Sequence, residues 1–240
     1  LPFAQKLRKG GYDGKGVQAI AGIEEWQKGF DEPGMLEKAV DIEIEISVIV
    51  VANEKGQSTA FPPVELVFDP KYNLVDYLLS PARITDKQAE EAEKLARRVV
   101  EAFDSPGIFA VEMFLDKTGA LLVNEVAPRT HNSGHQSIEG NYASQFDQQL
   151  RALLNLPLGS TETRMPSLMI NLIGAEGFEG TPHYKGLNDI LSIPGVYVHL
   201  YGKKQTRPGR KMGHITLVAN DVDTLLERAQ LVKKTIRVIT

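Results

Sequence analysis

The most informative group of side chains that can do chemistry lies in one stretch of twelve residues, 124–135. It contains the carboxylate of Glu125, the guanidinium of Arg129 and two imidazoles. A second acid, Glu112, lies in the apolar run 108–115. A carboxylate among apolar neighbours carries a desolvation cost unless it is paired or bound to a metal. These residue types therefore indicate a site that binds charged groups.

Glu112 lies inside the apolar run 108–115, and Glu125 follows the apolar run 120–123. Both acids are therefore predicted to lie on neighbouring strands. Two carboxylates followed by a cationic loop suit a divalent metal that carries phosphate oxygens. Such a site is typical of nucleotide-dependent ligation. The alternative interpretation is two solvent-facing acids on alternating strands.

His131 and His135 are four residues apart, a spacing that also occurs in zinc pairs on helices. Pro128 and Gly134 disfavour a helix here, so we interpret both histidines as anion or substrate contacts. The other histidines are isolated in the sequence and are interpreted as structural; they are His183, His199 and His214.

Four glycines lie within the seven residues 10–16. Glycine lacks Cβ, so the backbone N–H groups of such a loop can approach a phosphate, and Lys15 adds positive charge. The spacing matches neither the Walker loop nor G-x-G-x-x-G. The loop is either a nucleotide-binding flap, which Lys6 in the preceding strand favours, or a flexible hairpin tip.

Two further groups of charged residues have open interpretations. Glu37 and Glu45 bracket the connection 38–44, which could hold adenine at one end and ribose hydroxyls at the other. The alternative is surface charge on an amphipathic strand. Cations are dense in the turn 207–211, where arginine suits a phosphate monoester. The alternative there is a solvated loop.

Composition narrows the class of protein. The chain has 240 residues and a formal net charge of -4, so no global basic field indicates nucleic-acid binding. It has no cysteine, which excludes disulfides and thiolate catalysis and fits a cytoplasmic location. No apolar run has the length of a membrane span. The chain begins at Leu1 without methionine, and we expect it to lack an N-terminal region.

Hydrophobic periodicity predicts strands, local hairpins and helices, which indicates an α+β fold. The clearest helix is 86–103, which Thr85 and Gln88 can cap with a capping box. A helix that begins near Ser144 and ends before Pro157 carries four apolar residues on one face, namely Phe146, Leu150, Leu153 and Leu154. The predicted strands are 3–7, 17–20, 35–40, 43–52, 167–173, 196–201 and 213–218, and further helices are 23–28 and 221–235.

Three parts of the chain are predicted from these elements. Residues 1–52 form a small lid subdomain with the glycine-rich flap, and residues 53–160 form a larger subdomain with the metal site. The polar stretch 158–164 is interpreted as a boundary. Residues 165–240 follow it as a C-terminal, β-rich domain.

Together these motifs resemble the ATP-grasp superfamily, and within it the purine-biosynthetic ligases that carboxylate aminoimidazole ribonucleotide. The specific part of the match is N-E-x-A-P-R-x-H-N-S-G-H at 124–135, whereas the glycine loop and the paired glutamates are shared more widely. The resemblance spans nearly the whole chain. It implies two α+β subdomains that clasp ATP, followed by a small, mostly-β C-terminal domain.

The resemblance also implies a role for each matching residue. The ATP-binding residues would be Lys6, Gly11, Gly14, Lys15, Glu37, Lys38, Val40, Glu45 and Asn124. Glu112 and Glu125 would hold Mg²⁺ or Mn²⁺. The catalytic residues near bicarbonate would be Arg129, His131 and Asn132. The ribonucleotide would contact Tyr12, Asp13, Ser133, Gly134, His135, Lys204, Arg210 and Lys211.

The implied reaction joins bicarbonate to the amine of aminoimidazole ribonucleotide with the use of ATP. The resemblance further implies a cytoplasmic homodimer that contacts neither nucleic acid nor membrane. Two alternatives remain. One is another ATP-grasp ligase, such as a formate-using ribonucleotide transformylase or a biotin carboxylase-like domain. The other is a nucleotide-binding fragment that is inactive without its N-terminal domain.

Overall fold

A computed structural model of the chain describes residues 2–11, 16–69 and 74–240. The strands are β1 (Phe3–Leu7), β2 (Val17–Ile20), β3 (Gly34–Lys38), β4 (Ile42–Ala52), β5 (Ser58–Ala60), β6 (Val64–Asp69), β7 (Leu74–Ser80), β8 (Gly107–Asp116), β9 (Leu121–Ala127), β10 (Ser167–Ile173), β11 (His183–Lys185), β12 (Val196–Leu200), β13 (Lys211–Val218) and β14 (Arg237–Ile239). The α-helices are α1 (Asp86–Glu101), α2 (Ser137–Gly140), α3 (Gln145–Leu153), α4 (Leu187–Leu191) and α5 (Val222–Thr235), and Ile23–Lys28 and Asn132–Gly134 are 3₁₀ helices. All pairings between these strands are antiparallel, which confirms the predicted α+β class.

The centre of the molecule is a nine-stranded sheet with the strand order β12-β13-β10-β7-β6-β4-β8-β9, in which β5 also pairs with β4. The central strand β4 is buried on both faces from Ile46 onward. Ile46 and Val48 pack against α1, whereas Ile49 and Val51 belong to a separate cluster that includes Ala152 of α3. Apolar and polar residues therefore alternate only at the start of β4, because both faces of its later part are covered.

A smaller three-stranded sheet, in the order β2-β1-β3, forms the lid. β1 and β2 are antiparallel, and the backbone N–H of Leu7 donates to the carbonyl oxygen of Gly16 at 2.8 Å. Gly10 and Gly16 have positive φ angles of 78° and 90°, which glycine adopts without strain. The predicted hairpin is confirmed on both sides of this turn, while residues 12–15, including Tyr12, Asp13, Gly14 and Lys15, lie outside the described residues.

The boundaries between sheets differ from the predicted subdomain boundaries. The lid sheet ends at Lys38, and β4, which the prediction placed in the lid, pairs with β6 and β8 in the large sheet. The C-terminal strands β10, β13 and β12 continue the same large sheet through β7. Strand pairing joins residues distant in sequence, so the local polarity of 158–164 could not reveal it. We propose the three parts as functional units; the lid strands β1, β2 and β3 form their own sheet, whereas β4 and the strands of the second part share the large sheet with β10, β12 and β13.

The helices α1 and α3 bury mainly small or polar side chains. α1 buries Ala92, Ala96 and Val100 against β4 and β8. α3 buries the face formed by Gln145, Gln148 and Ala152. Its apolar face is exposed instead, with exposed fractions of 37% for Phe146, 60% for Leu150, 62% for Leu153 and 65% for Leu154. In the described ranges no helix is both long enough and apolar enough to cross a bilayer.

The start of α1 has the predicted capping box. The Thr85 side chain accepts a hydrogen bond from the backbone N–H of Gln88, and the Gln88 side chain accepts one from the backbone N–H of Thr85. We expect Thr85→Ala to lower the free energy of unfolding by about 1 kcal/mol, because it leaves an N-terminal N–H of the helix without a partner. Chemical denaturation measures the change.

The matched control is Lys87→Ala on the same turn, where the side chain is 84% exposed. Its effect should stay within about 0.5 kcal/mol. Equal losses for the two variants would contradict the capping contribution.

Candidate active site

Two carboxylates face each other on β8 and β9. Glu112 lies directly opposite Glu125 in this antiparallel pair. Side chains at such positions point to the same face of the sheet, with Cβ atoms roughly 5 Å apart. Burial, together with the nearby Glu125 and Glu45 carboxylates, raises the pKa of Glu112 to about 7. The fold therefore holds like charges together at this point.

Glu45 of β4 is a third acid on this face. Ser47 lies opposite Glu112, and Glu45 is two residues earlier on the same side of β4. Burial and the Glu125 carboxylate raise the pKa of Glu45 to about 7. Acids of three adjacent strands thus line one surface.

The donor set fits a divalent cation that arrives with phosphate. The described residues contain no group of three or more histidine, cysteine, aspartate or glutamate side chains that could hold a metal by themselves. Mg²⁺ in nucleotide sites is usually bound by one or two carboxylates, and phosphate oxygens and water complete its shell. Glu112 and Glu125 match this requirement, and a cation between them would offset both causes that raise the pKa of Glu112, burial first and repulsion second.

Lys6 connects the lid to the large sheet. Its Nζ lies 2.8 Å from Oε2 of Glu37 and donates to Oδ1 of Asn124 at 2.7 Å. The register between β8 and β9 shifts after Glu112, so Asn124 has no opposite residue in the ladder. Bulges of this kind redirect side chains beside active sites. The structure therefore brings together Lys6, Glu37 and Asn124, to which the resemblance assigned ATP binding.

The loop after β9 directs His131 towards Glu112. Nε2 of His131 is 3.6 Å from Oε1 of Glu112. The backbone N–H of Ser133 donates to Nδ1 of His131 at 3.4 Å, so that the ring hydrogen is on Nε2. The Ser133 hydroxyl is 2.8 Å from that of Ser47, which joins the loop to β4.

Arg129 and Asn132 supply donors in the loop that follows β9. Arg129 is exposed, and its charge acts to lower the pKa of Glu112 against the effect of burial. Nδ2 of Asn132 is buried and has no hydrogen-bond partner among the described residues. A buried donor in this state fits an oxygen-rich ligand.

His135 joins the loop to the C-terminal strands. Its ring stacks on His214 with centroids 4.7 Å apart, and His214 stacks on His199 at 4.4 Å. Burial, with the positive charge of Lys211 and of His199, lowers the pKa of His135 to about 4. Burial and the neighbouring histidines lower the pKa of His214 to about 3. His214, which appeared isolated in the sequence, thus packs against a predicted site residue, and His199 packs against His214.

The cationic residues in and around the turn 207–211 differ in how they relate to the candidate site. Lys211 lies near enough to the site to influence both Glu112 and His135. Arg210 donates from Nη1 to the carbonyl oxygen of Gln205 at 3.0 Å, and Lys204 is exposed. Three other predicted residues lie at the lid: Gly11 is next to the undescribed turn, and Lys38 and Val40 lie at the connection between β3 and β4.

Sequence reasoning did not identify two buried residues of the site, Ser47 and Gln145. Ser47 follows Glu45 with period two on β4, and this spacing could have placed it on the acidic face. Gln145 is the first residue of α3 and contacts His131 and His135, which no local pattern indicates. Its position depends on how α3 packs.

The raised pKa of Glu112 predicts a pH-dependent effect of Glu112→Gln. The pKa rises from 4.5 to about 7 on folding, so the folded state resists ionisation and loses stability as pH rises through this window. Without divalent cations, we expect the glutamine variant to match the parent below pH 4.5 and to exceed its unfolding free energy above pH 7 by on the order of a few kcal/mol.

Denaturation at a series of pH values measures this difference. Glu125→Gln should lower the pKa of Glu112 in a carboxyl-carbon NMR titration, because it removes a repelling charge. A stability difference that does not change with pH would contradict the interpretation.

Comparison with known proteins agrees with this geometry. Residues 1–146 match the family model of the ATP-grasp domain, and residues 167–228 match that of the phosphoribosylaminoimidazole carboxylase C-terminal domain. The N5-carboxyaminoimidazole ribonucleotide synthase of Synechococcus elongatus is 38% identical over 96% of this chain and 58% of the relative.

Two solved structures share the fold. The N5-carboxyaminoimidazole ribonucleotide synthetase of Thermotoga maritima has a TM-score of 0.92 and 46% identity, over 100% of this chain and 63% of that one. The Aspergillus clavatus enzyme, in complex with ADP and 5-aminoimidazole ribonucleotide, has a TM-score of 0.84 and 34% identity over 97% of this chain and 61% of that one. The chain thus spans about three fifths of the length of these relatives. The chain belongs to the ATP-grasp family, and in sequence and fold it is similar to the N5-carboxyaminoimidazole ribonucleotide synthases.

Proposed function

We propose that this chain is the nucleotide-binding and C-terminal part of a cytoplasmic ligase of purine biosynthesis. The reaction is the carboxylation of 5-aminoimidazole ribonucleotide to N5-carboxyaminoimidazole ribonucleotide with ATP and bicarbonate. The observation that carries the proposal is the pair Glu112 and Glu125 on adjacent strands, next to the loop 129–135. The relatives named above support the choice of substrate.

ATP would lie between the lid and the large sheet. Lys6, already in contact with Glu37 and Asn124, is suited to bind phosphate oxygens together with Gly11 and the loop that follows it. The strand connection after β3 is suited to adenine and ribose through Glu37, Lys38, Val40 and Glu45. Glu112 and Glu125 would hold Mg²⁺ or Mn²⁺, which when bound offsets negative charge on the phosphates.

The reaction begins with attack of a bicarbonate oxygen on the γ-phosphorus of ATP. The bond from this phosphorus to the bridging oxygen breaks, which gives ADP and carboxyphosphate. Loss of phosphate releases CO₂, and the exocyclic amine of the ribonucleotide captures it and loses a proton.

The chain's own residues act on charge and orientation in this sequence. Arg129 stabilises the charge on the transferred phosphoryl group. Asn132 offers its buried, unpaired Nδ2 to a bicarbonate oxygen. His131, whose Nε2 hydrogen faces Glu112, is suited to the same ligand. The glycine-rich loop would exclude water from carboxyphosphate.

The ribonucleotide would lie towards the C-terminal strands. Lys204, Arg210 and Lys211 are suited to its 5′-phosphate. Lys211 influences the pKa of both Glu112 and His135, which supports a place for the ribonucleotide along Ser133, Gly134 and His135. Tyr12 and Asp13 are proposed to approach the aminoimidazole.

A version extended to the full length of the relatives tests the reaction. With aminoimidazole ribonucleotide present, ADP release should require bicarbonate, and formate should not replace it. Glu125→Gln should lower the rate by at least about 100-fold, because it removes a metal-binding charge. The control Glu101→Gln, at the exposed end of α1, should keep the parent rate.

Each alternative has its own outcome in this assay. Formate-dependent ADP release would favour a transformylase-like ligase. ATP binding without substrate-dependent turnover would favour a nucleotide-binding module. An unchanged rate in Glu125→Gln would refute the proposed metal site.

The proposal includes a homodimer, supported by the exposed apolar face of α3. Leu150, Leu153 and Leu154 are each at least 60% exposed, and contiguous apolar surface of this kind often marks an interface. Leu153→Lys should convert the extended protein from dimer to monomer in sedimentation experiments. Leu231→Lys on α5, where the side chain is 52% exposed, is the control and should remain dimeric. Dimers in both variants would exclude this face.

A further inference from the structure

The carboxamide of Gln145 binds both backbone groups of His131. Gln145 is fully buried at the start of α3. Its Oε1 accepts a hydrogen bond from the backbone N–H of His131 at 2.9 Å, and its Nε2 donates to the carbonyl oxygen of the same residue at 2.8 Å. This double contact fixes the position and orientation of the His131 backbone in the loop beside the acid pair.

The second hydrogen of the same amide group is directed at His135. Nε2 of Gln145 lies 2.9 Å from Nδ1 of His135. An amide nitrogen can only donate, so Nδ1 accepts and the ring hydrogen of His135 is on Nε2. Rotation of the carboxamide by half a turn would oppose donor to donor and acceptor to acceptor at His131. The three contacts therefore define one orientation.

Close packing prevents the loop from moving relative to this amide. A Cβ atom added to Gly134 would lie 2.5 Å from Oε1 of Gln145 and would collide with Cδ1 of Ile49. On the other side, the backbone N–H of Gln145 donates to Oγ of Ser137 at 2.9 Å. The amide is thus held between the loop and the segment that follows it.

We propose that Gln145 is a positioning residue of the active site, which holds the backbone of His131 and keeps His135 in the tautomer with its hydrogen on Nε2. The effect on the reaction rests on the proposed function, whereas the orientation of the two histidines rests on the contacts alone. Gln145 acts through these residues and does not itself touch the substrates.

Gln145→Glu tests the positioning role with almost no change in shape. An oxygen replaces the donating amide group, so it faces the carbonyl oxygen of His131 and no longer donates to His135. In the extended protein we expect kcat to fall by about 10- to 100-fold, because small displacements of reacting groups have effects of this size. KM for ATP should stay within about twofold of the parent value, since Lys6 and Asn124 do not contact this amide.

Gln148→Glu is the matched control. Gln148 lies three residues further along α3, is equally buried, and binds both backbone groups of Gly159, with Nε2 to the carbonyl oxygen at 2.6 Å and Oε1 from the N–H at 3.1 Å. Its glutamate variant loses the same amide donor, but the contact that it loses is with Gly159 and not with a histidine. Its kcat should remain within about threefold of the parent, even if both variants lose thermal stability.

Nitrogen NMR of the parent chain tests the orientation without any assay of activity. The spectrum of His135 should show a protonated Nε2 and an unprotonated Nδ1, and Gln145→Glu should change it.

Three outcomes overturn the proposal. They are a protonated Nδ1 in the parent, an equal loss of kcat in Gln145→Glu and Gln148→Glu, and a parent-like kcat in Gln145→Glu. If Gln145→Glu does not fold, Gln145→Met replaces it in the kinetic comparison, and the parent spectrum still decides the tautomer. A parent without bicarbonate-dependent turnover refutes the proposed function, whereas the tautomer is still decided by the spectrum.

Discussion

The burial of the Glu112 carboxylate directly opposite Glu125, and the repulsion that this position creates, is the constraint on which the site depends. Glu112 lies between the fully buried residues Val111 and Met113, and β8 is paired with β4 along nearly its whole length. A slip of one residue would move the carboxylate to the opposite face and bury it in the core, so the register is strongly specified. The two acids therefore cannot separate without loss of the central sheet packing. Such an arrangement favours any ligand that brings positive charge.

The cations that partly offset this repulsion come from distant parts of the chain. Arg129 follows β9 directly, whereas Lys211 begins β13. The continuous sheet and the stack of His135 on His214 connect the loop to β13. The contact between Nε2 of His199 and Oε1 of Glu139, at 2.8 Å, adds a second connection, which joins β12 to α2. The C-terminal domain thus continues the sheet that carries the acid pair, and we propose that it takes part in the site.

Local patterns in the sequence predicted most of the longer elements, but not the strands β5, β6, β7, β11 and β14 or the helices α2 and α4. Tertiary contacts explain other features that local patterns did not show. The capping box of Thr85 and Gln88 and the hairpin of β1 and β2 involve near neighbours, so their residues alone specify them. The pairing of Ser47 with Ser133 and the contacts of Gln145 join residues that have no common local pattern. The helix face of α3 illustrates the same limit, because its periodicity was visible but its exposure was not.

A crystal structure of the extended protein with ADP and Mn²⁺ tests the central claim most directly, because the anomalous signal of manganese identifies the metal. The account predicts a manganese peak bound by carboxylate oxygens of both Glu112 and Glu125 and by oxygens of the nucleotide phosphates. Nucleotide bound with no metal between these two acids, or with the metal held by other residues, would contradict it.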